Sequence, residues 1–150
     1  MKREPIWLSI EVVLASHEEL VAEHGGVPLL RDRGLLESAL AKPRHRFAYG
    51  ETDVFNLATA YASGITRNHP FADGNKRTAF IAAYTFLGLN GWTLDAPEQE
   101  AYRFMLGLSD RTISEAAFAE WLRNRCVRGK GSRLPGGGKP QTRRRPRKPR

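Results

Sequence analysis

Nine residues, His69 to Arg77, bring together side chains that can do chemistry on a phosphate group. His69 is a candidate general base, since a neutral imidazole beside a bound phosphate can accept the proton of an incoming hydroxyl group. Asp73 is a candidate magnesium ligand, because Mg²⁺ favours one or two carboxylates together with phosphate oxygens. Lys76 and Arg77 add two positive charges close to that carboxylate. The spacing predicts a site at which a hydroxyl group meets a bound phosphate.

Two helices and a tight loop must position these side chains. Pro70 disfavours helical geometry at His69, so the preceding helix is expected to end near Asn68. Gly74 permits a positive φ, and an apolar helical pattern begins at Asn75. The first turn of this second helix presents unpaired N–H groups and the positive end of the helix dipole, which suits phosphate oxygens.

The placement of Lys76 and Arg77 favours an anion at this helix end. Cations there oppose the helix dipole and would ordinarily be avoided, so two of them indicate an anion between them. Simpler interpretations stay open: Asp73 as a helix cap, Asn75 as an N-cap alone, and the cations as solvated surface charges. Three further histidines have no partners at metal-ligand spacing: His17, His24 and His45.

The stretch His-Pro-Phe-Ala-Asp-Gly-Asn-Lys-Arg at residues 69–77 resembles the signature of Fic domain proteins. Lysine after the asparagine resembles the Doc (death-on-curing) toxin branch of that family. Residues 34–40 are similar to the family's second helix, and residues 88–92 to the end of the helix after the motif. The resemblance extends over about residues 6–127.

Two positions depart from the adenylyltransferases of the family. Those enzymes generally carry glycine after the motif asparagine and a second arginine three residues after the first. Here Lys76 and Phe80 occupy these positions. Both differences favour a reaction other than nucleotidyl transfer.

The resemblance implies a toxin of a toxin–antitoxin pair, acting as an ATP-dependent protein Ser/Thr phosphotransferase. Such an enzyme transfers the γ-phosphoryl group of ATP, with Mg²⁺, to a hydroxyl of a translation factor, which is elongation factor Tu in the Doc branch. Its cognate antitoxin is expected to cover the groove beside the motif. The roles carried over by position are general base for His69, magnesium ligand for Asp73, anion-loop turn for Gly74, and phosphate positioning for Asn75, Lys76 and Arg77.

Two alternatives remain at the level of the sequence. Transfer of AMP is one, because Gly74 resembles the adenylyltransferase motif more than the alanine often found in Doc proteins. The other is an inactive Fic-like scaffold that binds nucleic acid through a basic tail. The intact His69 and Asp73 argue against inactivity.

Apolar periodicity predicts an all-α bundle of about six helices. Expected caps and starts are Ser9, Asp32, Asp53, Pro97, and Thr112 or Ser114. Pro43 is expected to end the second helix, leaving residues 44–50 as a substrate-facing flap or a plain surface loop. The fifth helix is expected to turn Tyr102, Met105 and Leu106 inward, and strand signals, including residues 92–94, are too short to predict a sheet.

Charge divides the chain into a body and a tail. The net charge is +8, yet residues 129–150 contain nine Lys or Arg and no acid, which leaves 24 − 9 = 15 basic against 16 acidic residues before them. We expect a catalytic domain at residues 1–128 and a flexible, disordered basic tail at 129–150 with nonspecific affinity for RNA or DNA. The single cysteine, Cys126, fits a reducing cytosol. The sequence contains no convincing secretion signal or membrane span, so a cytoplasmic protein is expected.

Overall fold

Residues 3–129 are described by a computed structural model and form six helices and one small sheet. The predicted all-α class is confirmed, whereas the predicted tail lies outside the described residues, apart from Gly129. In chain order the elements are α1 (Ile10–His24), α2 (Arg33–Ala48), α3 (Val54–Asn68), α4 (Asn75–Leu89), β1 (Trp92–Leu94), α5 (Glu98–Asp110), α6 (Glu115–Arg125) and β2 (Cys126–Arg128). Within residues 3–129, no helix combines the length and the apolar character needed to cross a membrane.

Helix α3 lies at the centre of the bundle and packs against α2, α4 and α6. It buries ten of the eleven residues from Phe55 to Ile65, and only Asn56 among them is partly exposed. Tyr61 is fully buried, and its hydroxyl accepts a hydrogen bond from the Leu8 N–H at 3.0 Å. Because α3 ends directly before the motif, the site is attached to the best-packed element of the protein.

Side-chain caps begin four of the helices. The predicted caps Ser9, Asp32 and Asp53 are confirmed, since each accepts a hydrogen bond from a backbone N–H in the first turn that follows. Of the two predicted starts of α6, Ser114 is the cap and accepts from the Ala117 N–H at 3.0 Å. The predicted start at Thr112 is wrong.

The prediction that Pro43 ends the second helix is wrong. Helix α2 continues to Ala48, with Pro43 buried inside it. Proline cannot donate to the carbonyl of Ala39 one turn earlier. That carbonyl faces α3 at Gly64, where a Cβ atom would lie only 3.1 Å from it. The backbone of α3 at Gly64 therefore packs against the Ala39 carbonyl, which lacks its usual hydrogen bond within α2.

Tertiary contacts hold the last turns of α2 in helical geometry. Glu115, at the start of α6, binds Arg46 of α2 at 3.0 Å and Arg67 of α3 at 3.1 Å, and it accepts from the Ser63 hydroxyl at 2.9 Å. Phe47 packs against the core. Residues 44–48 are thus helical rather than a flap or loop, and only residues 49–53 separate α2 from α3.

The expectation of no sheet is also wrong, although the sheet is small. Strands β1 and β2 pair antiparallel, with Trp92 opposite Arg128 and Leu94 opposite Cys126. The Arg128 guanidinium lies 4.4 Å from the centre of the Trp92 ring. Each strand has three residues, so its sequence alone carries too little periodicity to reveal the partner.

Helix α5 is rotated relative to the prediction. Met105 and Leu108 are buried, but Tyr102 is 64% exposed and Leu106 37% exposed. The helix begins at Glu98, with Pro97 as the residue before it rather than its first residue. The apolar side chains of α5 exceed what one buried face can hold, so the pattern did not specify which of them turn inward.

Candidate active site

The motif loop, residues 69–74, begins where α3 ends at His69. This residue has a left-handed backbone conformation with φ of 53°, and its side chain is exposed. The guanidinium of Arg31 donates from Nε to the His69 carbonyl at 3.1 Å, and its Nη2 donates to the same oxygen. Cationic donors stabilise the carbonyls at a helix C-terminus. Arg31 therefore holds the candidate base in its unusual backbone conformation.

The connection between α1 and α2, residues 25–32, lies along the motif loop and binds it mainly through the backbone. The N–H groups of Arg31 and Asp32 donate to the Pro70 carbonyl at 2.8 and 3.1 Å, and the Ala72 N–H donates to Leu29 at 2.9 Å. Leu30 forms an isolated β-bridge with Phe71, which is fully buried. These bonds leave the apolar side chain of the loop in the core and its polar side chains outside.

Asp73 is exposed, and one oxygen of its carboxylate is already bound. Oδ2 accepts from the Val27 N–H at 2.7 Å. Gly26 makes this approach possible, because its φ is +118° and a Cβ there would lie 3.1 Å from the Asp73 Cβ. The carboxylate is thus fixed by the 25–32 connection, and its Oδ1 has no hydrogen bond among residues 3–129.

Asn75 is 5% exposed and binds back into the loop. Its Oδ1 accepts from the Phe71 N–H at 3.0 Å and its Nδ2 donates to the Phe71 carbonyl at 2.8 Å, which fixes the orientation of the amide. Asn75 is the first residue of α4 and not its cap, so the interpretation as an N-cap is wrong.

The same amide contacts the candidate base. Asn75 Nδ2 lies 3.2 Å from His69 Nδ1. Because the bonds to Phe71 make Nδ2 the donor, Nδ1 is the acceptor, and the neutral ring carries its proton on Nε2. Asn75 therefore sets both the position and the tautomer of His69.

The N-terminus of α4 has no side-chain cap. Gly74 precedes it with φ of 80°, and neither Asp73 nor another side chain accepts from its first N–H groups, so the interpretation of Asp73 as a mere cap is wrong. Lys76 and Arg77 are exposed in the first turn, which contains no acid. Uncapped N–H groups and two cations make this end of α4 strongly attractive to an anion.

The fit to ATP and Mg²⁺ follows from this donor set. Among residues 3–129, no three His, Cys, Asp or Glu side chains lie close enough to hold a metal ion together. A single carboxylate, that of Asp73, is the arrangement Mg²⁺ uses when phosphate oxygens and water supply its other ligands. Lys76, Arg77 and the uncapped end of α4 would hold the phosphates.

An apolar groove lies further along α4. Phe80 is half-buried, with its ring centre 6.2 Å from that of Tyr84. The groove has a volume of about 740 Å³, and its apolar lining residues are Phe80, Tyr84, Leu94, Ala96, Pro97 and Ala101. Phe80 therefore offers an aromatic surface at the position where related adenylyltransferases present a cation.

Two residues that hold the site were missed from the sequence. Arg31 stood in a loop next to a predicted cap and carried no signal of its own. His17 was assigned no role, yet it is 4% exposed and its Nε2 lies 2.8 Å from the Asp73 carbonyl. It occupies the helical position midway between the buried residues Val13 and Val21, four residues from each, and that spacing would have shown that it faces the core.

Comparisons with known proteins identify the family of this chain. The model of the Fic/DOC family matches residues 7–87, which is more than half of the chain. The "Protein kinase doc" of Escherichia phage P1 is 35% identical over 118 residues, covering 77% of this chain and 92% of that protein. The "Toxin Doc" of Mycolicibacterium smegmatis is 44% identical over 75 residues, covering 48% of this chain and 57% of that protein. The chain therefore belongs to the Fic/Doc family, within its Doc toxin branch.

Proposed function

We propose that the protein is a toxin that transfers the γ-phosphoryl group of ATP to a Ser or Thr hydroxyl of a translation factor, elongation factor Tu by family resemblance. The observation that carries this proposal is the uncapped N-terminus of α4, where Lys76 and Arg77 stand beside the carboxylate of Asp73. A relative covered over 92% of its length bears the name of a protein kinase. Inhibition of translation places its action in the cytoplasm.

The site residues divide the work of the reaction. Lys76, Arg77 and the first N–H groups of α4 bind the phosphate oxygens, while Gly74 makes the turn that exposes them. Asp73 would hold Mg²⁺, which would neutralise phosphate charge when bound. The target hydroxyl forms a bond to the γ-phosphorus, the bond to the ADP oxygen breaks, and the hydroxyl proton passes to His69. Positioning and charge stabilisation supply most of the rate enhancement in such reactions.

The tautomer of His69 adds a requirement to this reaction. Proton acceptance at Nε2 needs a ring whose own proton is on Nδ1, but Nδ1 accepts from Asn75 in the resting arrangement. The imidazole must therefore leave the Asn75 amide, or exchange its proton, when the target hydroxyl binds. In the resting protein Nε2 is a donor and not a base.

Lys76 and Phe80 favour phosphoryl transfer over AMP transfer. A long side chain at position 76 fills the space that glycine leaves for the β- and γ-phosphates in adenylyltransferases, and Phe80 supplies no charge for their far end. ATP would enter in the opposite direction, with its γ-phosphorus toward His69. Gly74 is not an argument for AMP transfer, because its φ of 80° is a backbone conformation that favours glycine whichever group is transferred.

An antitoxin partner completes the proposal. The groove lined by Phe80, Tyr84 and Pro97 lies on the same helix as the motif cations, and its apolar surface suits a helix or strand of the antitoxin. An antitoxin bound there would cover the approach to the N-terminal end of α4. The resemblance implies an antitoxin in the groove beside the motif, without naming the residues that line it.

The decisive experiment is mass spectrometry of elongation factor Tu after incubation with the protein and MgATP. Phosphorylation adds about 80 Da, whereas AMP transfer adds about 329 Da. The proposal expects the smaller addition, on a Ser or Thr, and label from γ-³²P-ATP but not from α-³²P-ATP. An addition of the AMP mass would replace it with the adenylyltransferase alternative. If elongation factor Tu is unmodified, the other translation factors in a cell extract are tested in the same way.

A further inference from the structure

His17 lies outside the motif in sequence and against it in space. Its ring stacks on that of Phe71 with centres 3.7 Å apart and planes 12° apart, and both side chains are buried. A Cβ atom on Gly74 would lie 3.5 Å from the His17 Cδ2 atom. Together with its bond to Asp73, this histidine contacts two residues of the motif loop and lies beside a third, Gly74, from a position 56 residues before Asp73 in the chain.

The bond to Asp73 has a defined direction. A carbonyl oxygen only accepts, so His17 Nε2 carries the proton and donates to the Asp73 carbonyl at 2.8 Å. The peptide between Asp73 and Gly74 is planar and trans, which places its N–H on the side opposite its carbonyl. With the carbonyl directed at α1, the Gly74 N–H points away from α1. This N–H makes no hydrogen bond among residues 3–129.

We propose that His17 is a positioning residue that orients the Asp73–Gly74 peptide so that the Gly74 N–H donates to a phosphate oxygen of the nucleotide. The inference rests on the proposed function, because it assigns a nucleotide phosphate to the N-terminus of α4. Stacking on Phe71 fixes the position of the imidazole ring. The hydrogen bond to the Asp73 carbonyl fixes the orientation of the Asp73–Gly74 peptide. One buried side chain thereby sets the turn from which the uncapped end of α4 begins.

A purely structural role would make different demands on position 17. If His17 only filled the core, a flat apolar ring would serve equally well, and a flexible amide would serve worse. If it orients the peptide, an amide that can donate should retain function better than a ring that cannot. The variants His17→Phe and His17→Gln therefore separate stacking from hydrogen bonding. His24→Gln is the control, since His24 is on the same helix with 39% of its side chain exposed.

The test is an NMR titration of ¹⁵N-labelled full-length protein with MgATP, followed at the Gly74 amide, with thermal unfolding of each variant alongside. Saturation in the wild type should shift the Gly74 resonance. His17→Phe should raise the midpoint about tenfold, which corresponds to the loss of one hydrogen bond, while His17→Gln stays within about threefold. His24→Gln should leave both the midpoint and the melting temperature unchanged.

The inference would be overturned by a wild-type Gly74 amide that does not respond to MgATP, or by a His17→Phe midpoint equal to that of the wild type. A His17→Gln variant as impaired as His17→Phe would also contradict it. The proposed function fails differently, since MgATP would then bind and shift Gly74 while no ³²P reached the target protein. Binding and transfer thus report separately on the two proposals.

Discussion

Asn75 shows how a single amide can link the fold of a loop to the chemistry it presents. Its two bonds to the backbone of Phe71 close the loop, and its remaining N–H reaches His69. Asn75 is buried while His69, Asp73 and Lys76 are exposed. The candidate reactive groups therefore face solvent, and the residue that orders them does not.

The first prediction concerns the candidate base. His69→Ala should lower the rate of phosphoryl transfer by a factor of about 10² to 10⁴, because the hydroxyl proton loses its acceptor. Binding of MgATP should hardly change, since the phosphates are held by α4. The measurement pairs initial transfer rates with calorimetric titration of MgATP. A His69→Ala protein that transfers at the wild-type rate would remove His69 from the reaction.

The tautomer of the same ring can be observed directly. In the free protein we expect the ¹⁵N spectrum of neutral His69 to show a protonated Nε2 and an unprotonated Nδ1, because Nδ1 accepts from Asn75. Asn75→Ala should remove that preference. A protonated Nδ1 in the free wild-type protein would contradict the assignment of donor and acceptor.

We propose that Lys76 determines which phosphate is attacked, and its replacement gives the third prediction. Lys76→Gly should lower transfer of γ-³²P about tenfold or more, because the transferred group loses a charge partner. Slow transfer of α-³²P can then appear, limited by the missing cation at Phe80. The control is Arg103→Gly on α5, outside the motif. A Lys76→Gly protein with unchanged γ-³²P transfer would show that Lys76 does not contact the phosphates.

At the scale of elements, Glu115 joins three helices. Burial of this carboxyl raises its pKa, but the Ser63 hydroxyl and the Arg46 guanidinium favour the charged form, so the net effect is a pKa below the usual 4.5. A carboxyl whose pKa is lower in the folded state than in the unfolded state stabilises the protein above the unfolded pKa. That stabilisation is lost as the pH falls through the folded pKa.

The fourth prediction follows from that sign. Glu115→Gln should lower the free energy of unfolding at pH 7 by about 1 to 3 kcal/mol, because Arg46 and Arg67 lose their shared charge partner. The difference from the wild type should narrow as the pH falls below the ordinary carboxyl pKa of 4.5. Urea unfolding at neutral and acid pH measures both effects. Glu37→Gln is the matched control, since its pair with Arg33 is more than half exposed on both sides.

Sequence patterns predicted the features that depend on one segment and missed those that depend on contacts between elements. Caps and periodicity located all six helices, because each signal is local to its own segment. The continuation of α2 through Pro43 depends on Gly64 and Glu115, which lie on other helices, and no local pattern carries that information. The motif residues could be listed in advance, but the parts played by His17 and Arg31 arise only when α1 and its connection meet the loop.

At the scale of the whole molecule, different regions of the chain contribute the candidate site and the elements packed around it. Residues 7–87, which the family model matches, contain every residue of the candidate site and the connection that holds it. Residues 88–129 add β1, β2, α5 and α6, and they supply Glu115 as well as one wall of the apolar groove. The nine cations after Gly129 belong to neither region.

The last prediction concerns those cations. Removal of residues 130–150 should leave the melting temperature and the transfer rate nearly unchanged, because residues 3–129 contain the core and the site. Salt-sensitive binding to RNA should weaken, since nine positive charges are lost. A full-length variant with these nine residues changed to serine separates charge from length. A large fall in melting temperature on truncation would show that the tail packs on the body.

The 25–32 connection also decides which mutations would disarm the toxin. Leu29, Arg31 and Asp32 bind the motif loop through main-chain atoms, and Val27 reaches Asp73 in the same way. Main-chain bonds survive most changes of side chain. Cells that outlive the toxin in the absence of its antitoxin would therefore seldom carry substitutions at positions 27 or 29, whose side chains are exposed. Their inactivating missense mutations would gather at the positions where the site needs a particular side chain or the absence of one: Gly26, Arg31, His69, Asp73, Gly74, Asn75, Lys76 and Arg77.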